Sequence, residues 1–171
     1  ELVAGPDCHP DPAVRADLAF SLARASGGRG MVLGQALDMA AERAAAPLDL
    51  PAITRLQAGK TGALIAWSAE AGARLAGADP TPLSTYAQAL GLAFQIADDL
   101  LDLEGDAAAM GKAVGKDAGR GKATFVSLLG RDGAKRRAED LVTEACDAIA
   151  LYGDGAARLR QAARFVISRR T

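Results

Sequence analysis

One histidine, His9, and two widely separated cysteines, Cys8 and Cys146, are all the chain offers to imidazole or thiol chemistry. His9 stands among Pro6, Pro10 and Pro12 in a segment that reads as loop, so Ser-His-Asp catalysis and histidine metal sites have little to work with. The cysteines lack any metal-ligand spacing and fit a reduced, cytoplasmic protein. Strand signals are nearly absent, with few β-branched runs and no sustained alternation, which argues against a sheet. A net charge of -1 gives no basic excess and argues against general nucleic-acid binding. No secretory leader pattern is visible. Residues 80–97 are uncharged, but two prolines, Ser84, Thr85, Gln88 and Gln95 interrupt them, so no membrane span is expected. The most telling absence is local: positions 75–111 contain no lysine or arginine at all.

What remains is helical. The 171 residues are 50% hydrophobic, enough for a sizeable core, and 1–171 reads as a single all-helical domain fragment. Alanine, leucine and arginine dominate, and the pattern predicts helices over 12–25, 30–46, 51–76, 82–104, 123–129, 133–152 and 155–169. Pro51 and Pro82 fall where proline suits a first helical turn. In the fourth helix Tyr86, Leu90, Ala93, Ala97 and Leu100 form an apolar stripe, opposed by Gly91, Gln95, Asp98 and Asp102. Arg158, Arg160, Arg164, Arg169 and Arg170 are expected to line a solvated helix face. The first residue is Glu1 rather than Met, which points to a processed chain or a fragment.

Within the cation-free stretch, Asp98, Asp99, Asp102, Glu104 and Asp106 crowd together. Asp98 and Asp102 share a helix face one turn apart, with Gln95 just below, and like charges at that spacing repel. A hard divalent cation such as Mg²⁺, held by one or two carboxylates and by substrate phosphates, would compensate them. A solvated acidic helix end is the competing reading. Directly afterwards, positions 111–122 pack four cations and four glycines into twelve residues. Glycine permits close backbone approach, and lysine and arginine donate charge-assisted hydrogen bonds to phosphate. An acidic helix running into such a loop suits a metal-bridged diphosphate, although a plain basic surface loop would look similar.

Two further segments break helical convention. Gly59-Lys60-Thr61-Gly62 interrupts an apolar helix, and two interior glycines cost about 2 kcal/mol relative to alanines. Either a kink there presents Lys60 and Thr61 to a ligand, or the glycines serve a helix crossing and Lys60 extends outward. Gln35 and Asp38, three apart, share a face and read either as a buried polar pair or as ligand contacts.

Together these segments resemble the C-terminal half of the trans-prenyl diphosphate synthases, the farnesyl and geranylgeranyl diphosphate synthase family. Asp98-Asp99-Leu100-Leu101-Asp102, preceded by Phe94-Gln95, is similar to the family's second aspartate-rich motif. Gly59-Lys60-Thr61-Gly62-Ala63-Leu64 resembles its Lys-Thr motif, and Gly34-Gln35-Ala36-Leu37-Asp38 its Gly-Gln helix. The run from Gly111-Lys112 to Lys122-Ala123-Thr124 resembles the basic loop that follows. Leu33 stands where many members have glycine. The first aspartate-rich motif, the arginines after it, and the upstream basic residues that hold isopentenyl diphosphate do not occur in these residues.

The resemblance implies the C-terminal portion of an isoprenoid-synthase helical bundle. It implies a prenyltransferase joining isopentenyl diphosphate to an allylic diphosphate (dimethylallyl, geranyl or farnesyl), with Mg²⁺ assisting ionisation. It also implies a homodimer when full length, and a chain incomplete and inactive alone. By motif, Asp98 is the principal metal ligand, Asp102 assists, and Asp99 is a third candidate. Lys60, Lys112, Lys122 and Gln95 hold the diphosphate. Lys60, Thr61 and Gln95 are the catalytic candidates, Thr61 and Gln95 near the reacting carbons and diphosphate, while Phe94 and Gln35 border the isoprenoid. Lys116 and Asp117 form a local ion pair supporting the loop. A class I terpene cyclase or a non-catalytic prenyl-diphosphate-binding subunit would share the fold, but the former mixes Asn, Ser or Thr with Glu in its second metal motif.

Overall fold

The computed structural model describes residues 1–109, with 105–109 by backbone alone, and 123–169. A 3-10 turn at Leu2–Ala4 leads into α1 (Pro12–Ser26), α2 (Met31–Ala41) and α3 (Leu50–Gln57). A π-helical segment, Ala58–Gly62, joins α3 to α4 (Ala63–Leu75). The long α5 (Thr81–Ala109), α6 (Phe125–Ala148), a second 3-10 segment (Ala150–Ala156) and α7 (Ala157–Ser168) complete an all-α fold. No strand occurs among the described residues.

Helix starts follow local chemistry. Asp11 caps α1, its Oδ1 accepting from the Ala13 N–H at 2.8 Å, with Pro12 in the first turn. Asp49 does the same for α3 through the Ala52 N–H at 2.8 Å. Thr124 and Ser127 satisfy one another's backbone donors in a capping box at the head of α6. Gly130, at φ 70, breaks the helical path inside α6, where the sequence places the gap between two helices. The predicted second helix is too long: α2 stops at Ala41, five residues short of 46. Pro47 disfavours helical geometry at Ala46, and Ala44 to Ala46 are exposed, with no packing to offset that.

The core lies along α5. Tyr86, Ala93 and Ala97 of the expected stripe are buried, joined by Ala87, Ala89 and Ile96. They meet Phe125, Ala134, Ala138, Leu141 and Ala145 of α6, so small side chains face one another and the helices approach closely. Val166 and Ala163 of α7 close one side. Across the molecule, Trp67 Nε1 donates to Ser21 Oγ at 3.0 Å and Arg74 reaches Asp17 at 2.9 Å, tying α4 to α1, while Glu70 on α4 itself holds the Arg74 guanidinium at 2.9 Å.

Tyr86, only 2% exposed, donates its hydroxyl to the Leu159 carbonyl at 2.9 Å, joining α5 to α7. Tyr86→Phe removes that donor while the Leu159 carbonyl keeps its place in the α7 backbone ladder, so a loss of about 0.5–1.5 kcal/mol is expected in chemical denaturation of the whole enzyme. An unchanged midpoint and slope would show the bond contributes nothing.

Candidate functional site

The π-segment is the hub. It is pressed between α2 and α5 at two glycine-to-glycine crossings. A Cβ placed on Gly34 would lie 2.0 Å from the Lys60 nitrogen, and one on Gly91 would lie 3.2 Å from the Gly62 Cα. The glycines of Gly59-Lys60-Thr61-Gly62 serve helix crossings, and the helix bulges where Lys60 and Thr61 leave it, with Lys60 turned to buried Asp38 rather than outward. π-Bulges carry one extra residue per turn and occur frequently at functional sites.

From this bulge two polar contacts radiate. Lys60 Nζ lies 2.5 Å from Asp38 Oδ2 on α2, and Asp38 is buried, 4% exposed. Gln35 is exposed on the same helix, so Gln35 and Asp38 do not form a buried pair. Thr61 Oγ1 sits 3.3 Å from Gln95 Oε1 on α5, and Gln95 Nε2 donates to Asp99 Oδ1 at 3.4 Å. The other Asp99 oxygen accepts from the Phe125 N–H at 2.7 Å. Phe125 is the first residue of α6, so Asp99 caps that helix from across the fold, satisfying an orphan donor at its positive end. Burial nevertheless pushes the Asp99 carboxyl above its ordinary range. The Phe125 and Gln95 hydrogen bonds counter the shift, and the charges of Asp102 and Asp98 add to it.

Asp98 faces a different way. Its Oδ1 accepts from Arg169 Nη2 in an ion pair, and the same guanidinium lies 4.2 Å from the centroid of the Phe94 ring. Arg169 also donates to the Phe94 carbonyl at 3.4 Å and, through Nε, to the Val166 carbonyl at 3.2 Å. The expectation that Arg169 lines a solvated face is thus overturned. It is the cation that the cation-free stretch lacks locally, supplied by the residue just after α7. The signal was present in that charge gap, which required a partner from far away in sequence. Asp102 is exposed one turn beyond Asp98, and Glu104 pairs on the surface with Arg131 at 2.6 Å.

The site residues thus form two linked groups. Lys60, Thr61, Gln95 and Asp99 make a chain of contacts, and Asp98, Phe94 and Arg169 make a second on the same stretch of α5. Lys112, Lys116, Asp117 and Lys122 lie outside the described residues. Ala123, which follows them, lines a small cavity with Asp38, Ile53 and Gln57, so the chain re-enters the described structure beside the Lys60 partner. Among the described residues no group of three His, Cys, Asp or Glu side chains is arranged to hold a metal unaided. The candidate donors are carboxylate oxygens at partly open positions, those of Asp102 and the Asp98 oxygen that does not pair with Arg169. That suits a hard cation completing its shell with water and phosphate.

A family model for polyprenyl synthetase matches residues 19–150. The farnesyl diphosphate synthase of Escherichia coli (strain K12) is 46% identical over 136 residues, covering 77% of this chain and 44% of that protein. Among solved structures, the apo form of an FPP/GFPP synthase from Zymomonas mobilis superimposes with a TM-score of 0.86 at 45% identity, covering 96% of this chain and 55% of that one. A geranyltransferase from Helicobacter pylori, complexed with magnesium and isoprenyl diphosphate, matches with a TM-score of 0.70 at 30% identity over 92% of this chain and 52% of its own. The chain spans about half the length of the relatives it matches.

Proposed function

The chain belongs to the polyprenyl synthetase family, and from that membership we propose that it forms one wall of a trans-prenyltransferase site. There an allylic diphosphate (dimethylallyl, geranyl or farnesyl) would be ionised and joined to isopentenyl diphosphate. The observation that carries the reading is the contact of the Lys60-Thr61 bulge with Gln95, one helical turn before Asp98 on α5.

The proposed roles rest on these contacts and on the motifs. Lys60 has three ammonium donors, one spent on Asp38, leaving two for diphosphate oxygens. Lys112 and Lys122 would add to that clamp by motif. Thr61 Oγ1 and Gln95 Oε1, 3.3 Å apart, offer electron-rich oxygens where positive charge grows on the allylic carbon. Mg²⁺ would be held by Asp98 and Asp102, and when bound it neutralises the diphosphate and makes it a better leaving group. Both oxygens of Asp99 accept hydrogen bonds within the protein, so Asp99 supports the site and ranks behind Asp98 and Asp102 as the third candidate ligand. Phe94 supplies an apolar ring at the edge of the site, and Gln35 borders the isoprenoid from α2. The complete bundle would have to exclude water there, which would otherwise quench the cation.

We place the enzyme in the cytoplasm as a homodimer. No helix among the described residues is long and apolar enough to cross a membrane. Phe20, Val32, Leu33 and Met39 expose apolar surface on α1 and α2, which suits burial by further chain or by a second subunit.

The test uses residues 1–171 alone and fused to the N-terminal half of the Escherichia coli relative, which brings the first aspartate-rich motif. With Mg²⁺, isopentenyl diphosphate and geranyl diphosphate, the isolated chain should yield no product. The chimera should yield a linear diphosphate longer by one isoprene unit. A folded chimera that makes no lengthened diphosphate overturns the reading, and a hydrocarbon product would move it to the cyclases.

A further inference from the structure

The Asp38–Lys60 pair is more specific than a surface ion pair. Asp38 is 4% exposed, whereas the Lys60 side chain is 34% exposed. The carboxylate therefore stands behind the ammonium and the solvent side in front of it. A buried carboxylate requires partners, and at 2.5 Å from Oδ2 the ammonium is one of them. The helix that carries Asp38 also governs where Lys60 begins. Gly34, one turn before Asp38, is the residue whose missing Cβ admits the Lys60 backbone, so α2 places both ends of the lysine. A lysine on a plain helix sweeps a wide volume about its flexible stem. Here the stem leaves a π-bulge wedged against α2, and its head is tied to a residue of α2 that solvent cannot reach.

We propose that Asp38 is a positioning residue, holding the Lys60 ammonium at one point relative to Thr61 and Gln95. The proposal rests on the prenyltransferase reading above. Asp38 touches no reacting atom and acts through Lys60. Displacing a clamp by about 1 Å can cost on the order of a hundredfold in rate while leaving binding largely intact. The carboxylate partly offsets the charge of Lys60, so its removal should not weaken attraction for a diphosphate. The signature is a fall in kcat without a matching rise in KM.

Three variants of the whole enzyme test this. In Asp38→Asn the charge is lost and the shape kept; in Asp38→Glu the charge is kept and moved by one methylene. Both are expected to lower kcat at least tenfold, with KM for the allylic diphosphate within threefold of wild type. On a Lys60→Met background, Asp38→Asn should bring a clearly smaller loss of kcat than in the wild type, because there is no ammonium left to position. If Asp38→Asn fails to fold, Asp38→Glu carries the comparison. A kcat within threefold of wild type in the variant that folds, or an equal loss from Asp38→Asn with and without Lys60, overturns the positioning role. Wild-type enzyme that elongates no allylic diphosphate would instead strike the prenyltransferase reading itself.

Discussion

Asp98→Ala in the whole enzyme is expected to lower turnover roughly 10²–10³-fold, the scale on which one preorganised electrostatic group stabilises a developing charge. The far-UV circular dichroism should stay unchanged, since Asp98 is no part of the buried core. Repulsion among Asp98, Asp99 and Asp102 taken alone would predict a higher melting temperature without Mg²⁺ once a carboxylate is deleted. The Arg169 ion pair removes that gain, because the same substitution deletes an attraction. With side chains 37% and 22% exposed, the pair is screened, and its net worth lies within about 1 kcal/mol. The metal-free melting temperature should therefore hardly move. Turnover within threefold of wild type would remove Asp98 from the site, and a marked rise in metal-free stability would show that Arg169 does not compensate it.

Gly34→Ala should be among the most damaging small substitutions. Its Cβ would fall 2.0 Å from the Lys60 nitrogen and 2.6 Å from the Gly59 carbonyl carbon, both backbone atoms that no rotamer change can clear. Either α2 lifts from the bulge or the bulge is rebuilt, at about 3 kcal/mol, the upper range for overpacking. Lifting α2 also draws Asp38 away from Lys60, so activity and melting temperature should fall together, the latter by several degrees. Gly28→Ala is the control, since nothing lies within 4 Å of its added Cβ. If the two variants melt alike, the crossing is looser than the geometry indicates.

Much of this architecture is legible in the chain because its helices are marked locally. Pro12 after Asp11 and Pro51 after Asp49 announce starts that the structure keeps. The period of Tyr86, Ala93 and Ala97 names the buried side of α5. The interruption at Gly59-Lys60-Thr61-Gly62 is visible as an energetic cost that needs a reason. Its form, a π-turn with one crossing on each side, is not, since the reason lies on Gly34 and Gly91 in other helices. Asp38 shows the same limit. Helical spacing pairs it with Gln35, but its partner sits 22 residues away, across a bulge that shifts the register. Asp99 reads as one more carboxylate of an acidic run until the fold brings the first residue of α6 against it. Local rules state which side chains share a face, and packing decides which face meets which.

The Asp98–Arg169 contact also bears on how the protein is made. The two residues are separated by 71 positions, and ribosomes add about 5–20 residues per second, so roughly 4–14 s pass between their syntheses. During that interval α5 is complete while its acidic run has no partner from α7. A nascent chain at this stage holds Asp98 without Arg169, whereas the four cations of 111–122 follow α5 directly and Arg131 is made well before Arg169. Of the charges on this face, Asp98 is thus the one whose partner is made last.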